Sequence, residues 1–152
     1  TWGENNDGRL GQGETQGADT NVSSPVQVGT SSWTSVSAGG LPFSGVAHGL
    51  AIRSDGTLWV WGGNNVGQLG LNDTTSRSSP VQVGTSSWTS VSAGASHSTA
   101  VRSNGTLWAW GLNTSGQLGL NNVTNRSSPV QVGTGYWNSV SAGGSHTEAI
   151  SA

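Results

Sequence analysis

The chain has 152 residues, five of them Arg and none Lys, with seven acids and a formal net charge of −2. Only 8% of residues are charged and no basic run occurs, so the clustered cations that neutralise a nucleic-acid backbone are missing and a nucleic-acid partner is not expected. No apolar stretch approaches the roughly 20 residues of a membrane-spanning helix, no secretory leader is recognisable, and the lack of Cys excludes disulfides and thiolate metal sites.

With 25 Gly, 8 Trp, one Tyr and one Phe, the composition is that of either a disordered chain or an unusual β protein. The apolar residues decide for the second, because Val, Leu, Ile and Trp fall in short alternating runs of the kind that half-buried strands require.

Taken in order, the chain opens on Thr1-Trp2-Gly3, which reads as the tail of a strand written in full later as TLWVWG (57–62) and TLWAWG (106–111). Pro25, Trp33 and His48 follow, and the same landmarks return at Pro80, Trp88 and His97, then at Pro129, Trp137 and His146. Between 53–101 and 102–150, 34 of 49 aligned positions are identical, which marks a tandem duplication. Trp2, Pro25, Trp33 and His48 match Trp61, Pro80, Trp88 and His97 at offsets of 59, 55, 55 and 49, so the first copy carries insertions in two places. One lies within ETQGADTN and the other is LPFSGV (41–46). Insertions confined in this way belong to loops, since an extra residue within a strand would reverse its faces.

Each copy divides into four strand candidates, represented by 80–84 (PVQVG), 88–94 (WTSVSAG), 97–103 (HSTAVRS) and 106–111 (TLWAWG). Asn104-Gly105 between the last two predicts a type I′ hairpin, and Asp55-Gly56 takes the same place one copy earlier. Four short strands in about 50 residues, in tandem, form the pattern of propeller blades. The expected architecture is therefore an all-β, single repeat domain over 1–152, with blades of four antiparallel strands and repeats of approximately 1–52, 53–101 and 102–152.

The motifs LWxWG, GQLG, PVQV, SAGxSH and the DGTLW-type hairpin resemble the repeat of the regulator of chromosome condensation family, over the entire chain. The resemblance implies propellers that are commonly seven-bladed, and a structural role for His48, His97 and His146 through hydrogen bonds to neighbouring backbone. Just after that His the family places an apolar residue; Leu50 fits, whereas Thr99 and Glu148 depart. The Gly-Trp-Arg-His-Thr motif of the family's plant ultraviolet-B photoreceptor is replaced by Gly-Gly-Ser-His-Thr at 143–147 and Gly-Ala-Ser-His-Ser at 94–98. Nor does any segment match the wedge insertion on which the family's nucleotide-exchange activity depends.

Candidate sites are few. Three His at one repeat position sit on different blades, and three ligands must converge within about 2 Å of an ion, so no metal site is expected. Trp61, Trp110, Trp88 and Trp137 read as blade-to-blade packing residues. The acids are scattered, and no GxSxG, phosphate loop or HExxH occurs, so neither catalysis nor a cofactor is expected. The GQLGLN strings lack a following helix and a Lys and read as tight turns. Asn-x-Ser/Thr triplets begin at Asn21, Asn72, Asn104, Asn113, Asn122 and Asn125. Binding remains. Leu41 and Phe43 in the insertion, and Tyr136 where the preceding copy has Ser87, are the candidate contact residues.

Three blades cannot close a ring, because propellers typically have about four to eight. The expectation is either a segment of a longer propeller or a homodimer closing a six-bladed ring, and the absent initiator Met suits a processed or excised chain. The function read from the sequence is a protein-binding scaffold without catalysis of its own. The alternatives are a self-assembling structural repeat protein and a Trp-based binder of carbohydrate or another small ligand. The Lys-free, low-charge composition resembles extracellular or cell-surface repeat proteins of bacteria.

Overall fold

A computed structural model of the chain describes residues 1–13, 21–40 and 46–152. Apart from one single-turn 3-10 helix at Asn6–Gly8, every regular element it describes is β. The first complete blade consists of β1 (Trp33–Gly40), β2 (Ala47–Arg53), β3 (Thr57–Gly62) and the start of β4 (Arg77–Ala93), joined as antiparallel neighbours. The second takes the remainder of β4 with β5 (His97–Arg102), β6 (Leu107–Gly111) and β7 (Arg126–Gln131). β8 (Trp137–Ala142) and β9 (Thr147–Ser151) form the inner half of a further blade. At the other end, Gly3 bridges Val22, and Thr1 and Val26 exchange backbone hydrogen bonds, giving the outer half of a blade.

The alternation that predicts strands also places the core. Leu50, Leu58, Val60, Trp88 and Trp110 are buried between blades, each contributing roughly 2–3 kcal/mol of hydrophobic burial. The strand that opens on Trp is innermost in each blade and touches its counterpart in the next. The Ser37 hydroxyl accepts from Ala93 N–H at 3.0 Å, and the Ser92 hydroxyl accepts from Ala142 N–H at 2.9 Å. Pro80 and Pro129 lie on the outermost strands, where the N–H that proline lacks has no ladder partner to lose.

Two local expectations are corrected. The runs 80–84 and 88–94 are not separate strands: β4 is continuous from Arg77 to Ala93, because it leaves one blade as its outer strand and enters the next as its innermost. Gly84, at φ +56, takes up the bend. The hairpins at Asp55-Gly56 and Asn104-Gly105 are not type I′, since only the Gly is at positive φ (+83 and +81). The side chains explain the difference. Asp55 Oδ1 accepts from the Thr57 N–H and hydroxyl, as Asn104 Oδ1 does from Thr106, which holds the Asp or Asn at negative φ.

Glycines differ sharply in what they protect. A Cβ on Gly70 (φ +71) would lie 2.8 Å from Trp110 Nε1, whereas one on Gly133 (φ +58) would meet open space. Gly133→Ala is expected to cost about 1 kcal/mol, the penalty of a left-handed backbone alone. Gly70→Ala is expected to cost about 2–4 kcal/mol, because overpacking is added. Urea unfolding of the two variants measures the difference, and equal midpoints would refute it.

Candidate functional site

The three repeat histidines form a ladder rather than a cluster. His48 Nε2 lies 2.9 Å from Ser98 Oγ, and His97 Nε2 lies 3.0 Å from Thr147 Oγ1, each reaching the blade that follows. Those hydroxyls donate in turn to main-chain carbonyls, Ser98 to Gln68 O at 2.7 Å and Thr147 to Gln117 O at 2.8 Å. A hydroxyl that has given its proton to a carbonyl can only accept from the imidazole, so His48 and His97 are Nε2–H tautomers. Gln68 O also accepts the Trp110 indole N–H at 2.9 Å, and Arg9 O takes the Trp61 indole in the same way at 2.9 Å. His146 has no such hydroxyl among the described residues, and no group of three or more His, Asp or Glu there is placed to hold a metal.

Burial holds the imidazoles of His48 and His97 neutral. Desolvation, reinforced by the neighbouring His97, lowers the His48 pKa to about 4, and desolvation lowers His97 to about 4 as well.

A second repeated unit lies under the hairpin tips. The Arg53 guanidinium stacks 3.6 Å from the Trp59 ring and 5.3 Å from Trp33. Arg102 does the same 3.6 Å from Trp108 and 5.0 Å from Trp88. Burial pulls the Arg102 pKa below its usual value, though arginine remains a cation at any ordinary pH. Trp61, Trp88 and Trp110 are buried and Trp33, Trp59, Trp108 and Trp137 half-buried, so the indoles pack the blades; Trp2 is the exposed one, at 64%.

Tyr136, 66% exposed, leans on the Asn104-Gly105 turn: a Cβ at Gly105 would lie 3.0 Å from its ring. Ser87 occupies that place beside Gly56 in the first complete blade. Leu41 and Phe43 fall outside the described residues. The ends of β1 and β2 at Gly40 and Ala47 lie at the opposite rim of the blade from the Asp55-Gly56 turn.

Sequence reasoning missed the buried asparagines. Asn64 Oδ1 accepts from Leu69 N–H at 2.9 Å, while its amide donates to the Asp73 and Thr75 carbonyls; Asn113 repeats this with Leu118, Asn122 and Thr124. Each pins the long loop ahead of an outer strand. Their signal was the 49-residue spacing, hidden because Asn113 also begins a glycosylation triplet. At 0% exposure, Asn113 is closed to glycosylation in the folded chain.

Blades in tandem, tied edge to edge by this ladder, define a β-propeller repeat protein. The family model described as the regulator of chromosome condensation (RCC1) repeat matches residues 1–41, 55–101 and 104–150, and a second model of that description matches 88–117. The chain belongs to this family. It is 36% identical over 83 residues to the human protein described as probable E3 ubiquitin-protein ligase HERC3, covering 55% of this chain and 7% of that one. It is 33% identical over 92 residues to the ultraviolet-B receptor UVR8 of Arabidopsis thaliana, covering 60% of this chain and 19% of the receptor. Among solved structures, Prp20p of Saccharomyces cerevisiae superposes with a TM-score of 0.80 at 21% identity, over 99% of this chain and 39% of that one. Human WBSCR16 gives 0.78 at 22%, again over 99% and 39%. At these identities the structural likeness establishes the fold. The chain spans well under half the length of each of these relatives.

The ladder makes stability depend on pH with a definite sign. Because the folded pKa of His48 is about 4 against a reference value of 6.5, the unfolded chain binds the extra proton between those limits. Stability is complete above pH 6.5, falls as pH drops towards 4 and levels off below, with His48 contributing on the order of 3 kcal/mol and His97 acting in the same direction. Denaturant unfolding across pH 3.5–8 tests this. His97→Gln, which keeps a donor to Thr147, should flatten the slope, and Ser98→Ala should cost about 1–3 kcal/mol at pH 7 by orphaning His48.

Proposed function

We propose that the chain is a non-catalytic, protein-binding propeller scaffold whose contact surface is the rim of hairpin tips, with Tyr136 as its aromatic anchor. One observation carries the reading: a large aromatic, 66% exposed, sits on a rigid turn where the preceding blade has Ser. Rigid strands presenting side chains at loop tips suit recognition, and an exposed Tyr supplies contact area at low entropy cost. The relatives add support. The structure of Prp20p is described together with its binding to Gsp1p and histones, and yeast RCC1 (Prp20) is described bound to Kap60. Leu41 and Phe43, which break the repeat in sequence, would serve as further contact residues.

A second reading has its own observation. A cleft of about 530 Å³ opens on the Arg53–Trp59 stack, lined also by Gln12, Gln27 and Ser31, and would suit a small polar ligand such as a sugar.

The test is retention of proteins on the immobilised chain, followed by reconstitution of each hit from purified components. A partner with a dissociation constant below about 10 μM, weakened about tenfold or more by Tyr136→Ala, supports the scaffold. Failure to reconstitute any protein partner, together with quenching of Trp fluorescence by sugars, sinks it in favour of the cleft.

A further inference from the structure

Asparagine occurs throughout the chain, but it is followed by glycine at one place, Asn104-Gly105. That pair forms the tip of the β5–β6 hairpin, with Asn104 exposed and Gly105 at φ +81. We propose that Asn104 is a site of spontaneous covalent modification: in the folded protein the Gly105 main-chain nitrogen displaces its side-chain amide, and the turn ages into aspartyl and isoaspartyl forms. This inference stands apart from the scaffold reading and does not depend on it.

The first observation is how the amide is held. Asn104 Oδ1 accepts from the Thr106 hydroxyl at 2.8 Å and from the Thr106 N–H at 3.2 Å. The Trp108 indole N–H, which can only donate, bonds the same hydroxyl at 2.9 Å. The hydroxyl proton is therefore committed to Asn104, and the run from indole to hydroxyl to amide draws electrons away from Cγ. Attack on Cγ puts negative charge on Oδ1, so the two Thr106 donors stand where the tetrahedral intermediate needs them. The attacking nitrogen belongs to a residue without a Cβ, and no side chain on Gly105 shields it. Its N–H donates to Arg102 O at 2.9 Å, a bond at an exposed hairpin tip that opens locally before the proton is lost.

The reaction balances with water alone. The Gly105 nitrogen gives its proton to hydroxide or water and forms a bond to Asn104 Cγ. The Cγ–Nδ2 bond then breaks, and the leaving nitrogen takes up a proton and departs as ammonia. A five-membered imide remains. Water opens it at Cγ to give the aspartyl form, or at the main-chain carbonyl to give the isoaspartyl form, in which the backbone runs through the former side chain. One water is consumed and one ammonia released, with no change of oxidation state.

The second observation is the matching turn one blade earlier. Asp55 stands there, accepting from the Thr57 N–H at 2.9 Å and hydroxyl at 2.6 Å, so an aspartyl residue at position 104 fits the hairpin unchanged. Asp55 itself resists the same course. Hydrogen bonds from the Thr57 hydroxyl and N–H hold its pKa below the usual carboxylate value, and an ionised carboxylate is a poor target for a nucleophile. The isoaspartyl form has no such precedent. It adds a methylene to the main chain just ahead of Gly105, whose carbonyl accepts the Trp137 N–H at 2.8 Å and on which the Tyr136 ring leans. That product therefore loosens a tie between neighbouring blades.

Incubation of the folded 152-residue chain at mildly alkaline pH, followed by tryptic mapping and isoaspartyl methyltransferase labelling, tests the proposal. The peptide 103–126 is expected to take the label and to gain the mass of OH over NH2, with fragmentation placing the change at position 104. Thr106→Val, which keeps the branched shape but removes the hydroxyl, should slow the reaction about threefold or more, a small part of what a buried oxyanion donor supplies. Thr106→Ser should restore the rate. Asn104→Asp should take no label over the same period and unfold at the wild-type urea midpoint, whereas the labelled fraction of aged wild type unfolds at lower urea. A folded chain that stays unmodified at position 104 while the urea-unfolded chain reacts, or a Thr106→Val variant that reacts as fast as wild type, overturns the proposal.

Discussion

One main-chain carbonyl between successive blades organises this fold. Gln68 O receives an indole N–H from Trp110 and a hydroxyl from Ser98, both on the next blade, and Ser98 is also the acceptor for His48. The contact only works if the turn carrying the carbonyl is bare of side chains, which is why Gly70 lies under the ring. From it follow the burial of Leu50, Leu58 and Trp110, the neutrality of His48 and His97 and the near-constant spacing of the repeats. A blade that moved by one residue would lose indole, hydroxyl and imidazole together.

The same constraint accounts for the composition. Blade interfaces carry Ser, Thr and Trp because hydroxyls and indoles can bond across them, as Ser98 and Trp110 do to Gln68 O, while each indole supplies area; Lys, a flexible point charge, does not occur in the chain. Arg53 and Arg102 lie over Trp59 and Trp108, where a planar and weakly hydrated cation fits better than an ammonium. Low charge thus suits seams built from neutral polar and aromatic side chains.

Variation between copies then becomes informative, because the copies are otherwise so alike. Tyr136 for Ser87 changes a hairpin rim. Glu148 for Leu50 or Thr99, and Arg9 for Gln68 or Gln117, are further departures. A duplicated sequence this regular makes such departures stand out as candidates for separate demands, such as the recognition proposed at the rim.

Much of this was legible in the sequence. Alternating Val, Leu and Trp runs, four to a copy and repeated at 49 residues, suffice for the strands and their antiparallel order, since strand periodicity and hairpin turns are local properties. Other features were decided by tertiary contacts. The continuity of β4, the φ at Asp55 and Asn104, and the role of Asn113 as the pin of a loop depend on which carbonyls and strands lie nearby. The histidines show the division most plainly. Sequence alone set their spacing and argued against a metal, but their hydroxyl partners lie 50 residues away on another blade, and only the packed structure brings imidazole and hydroxyl to 2.9 Å.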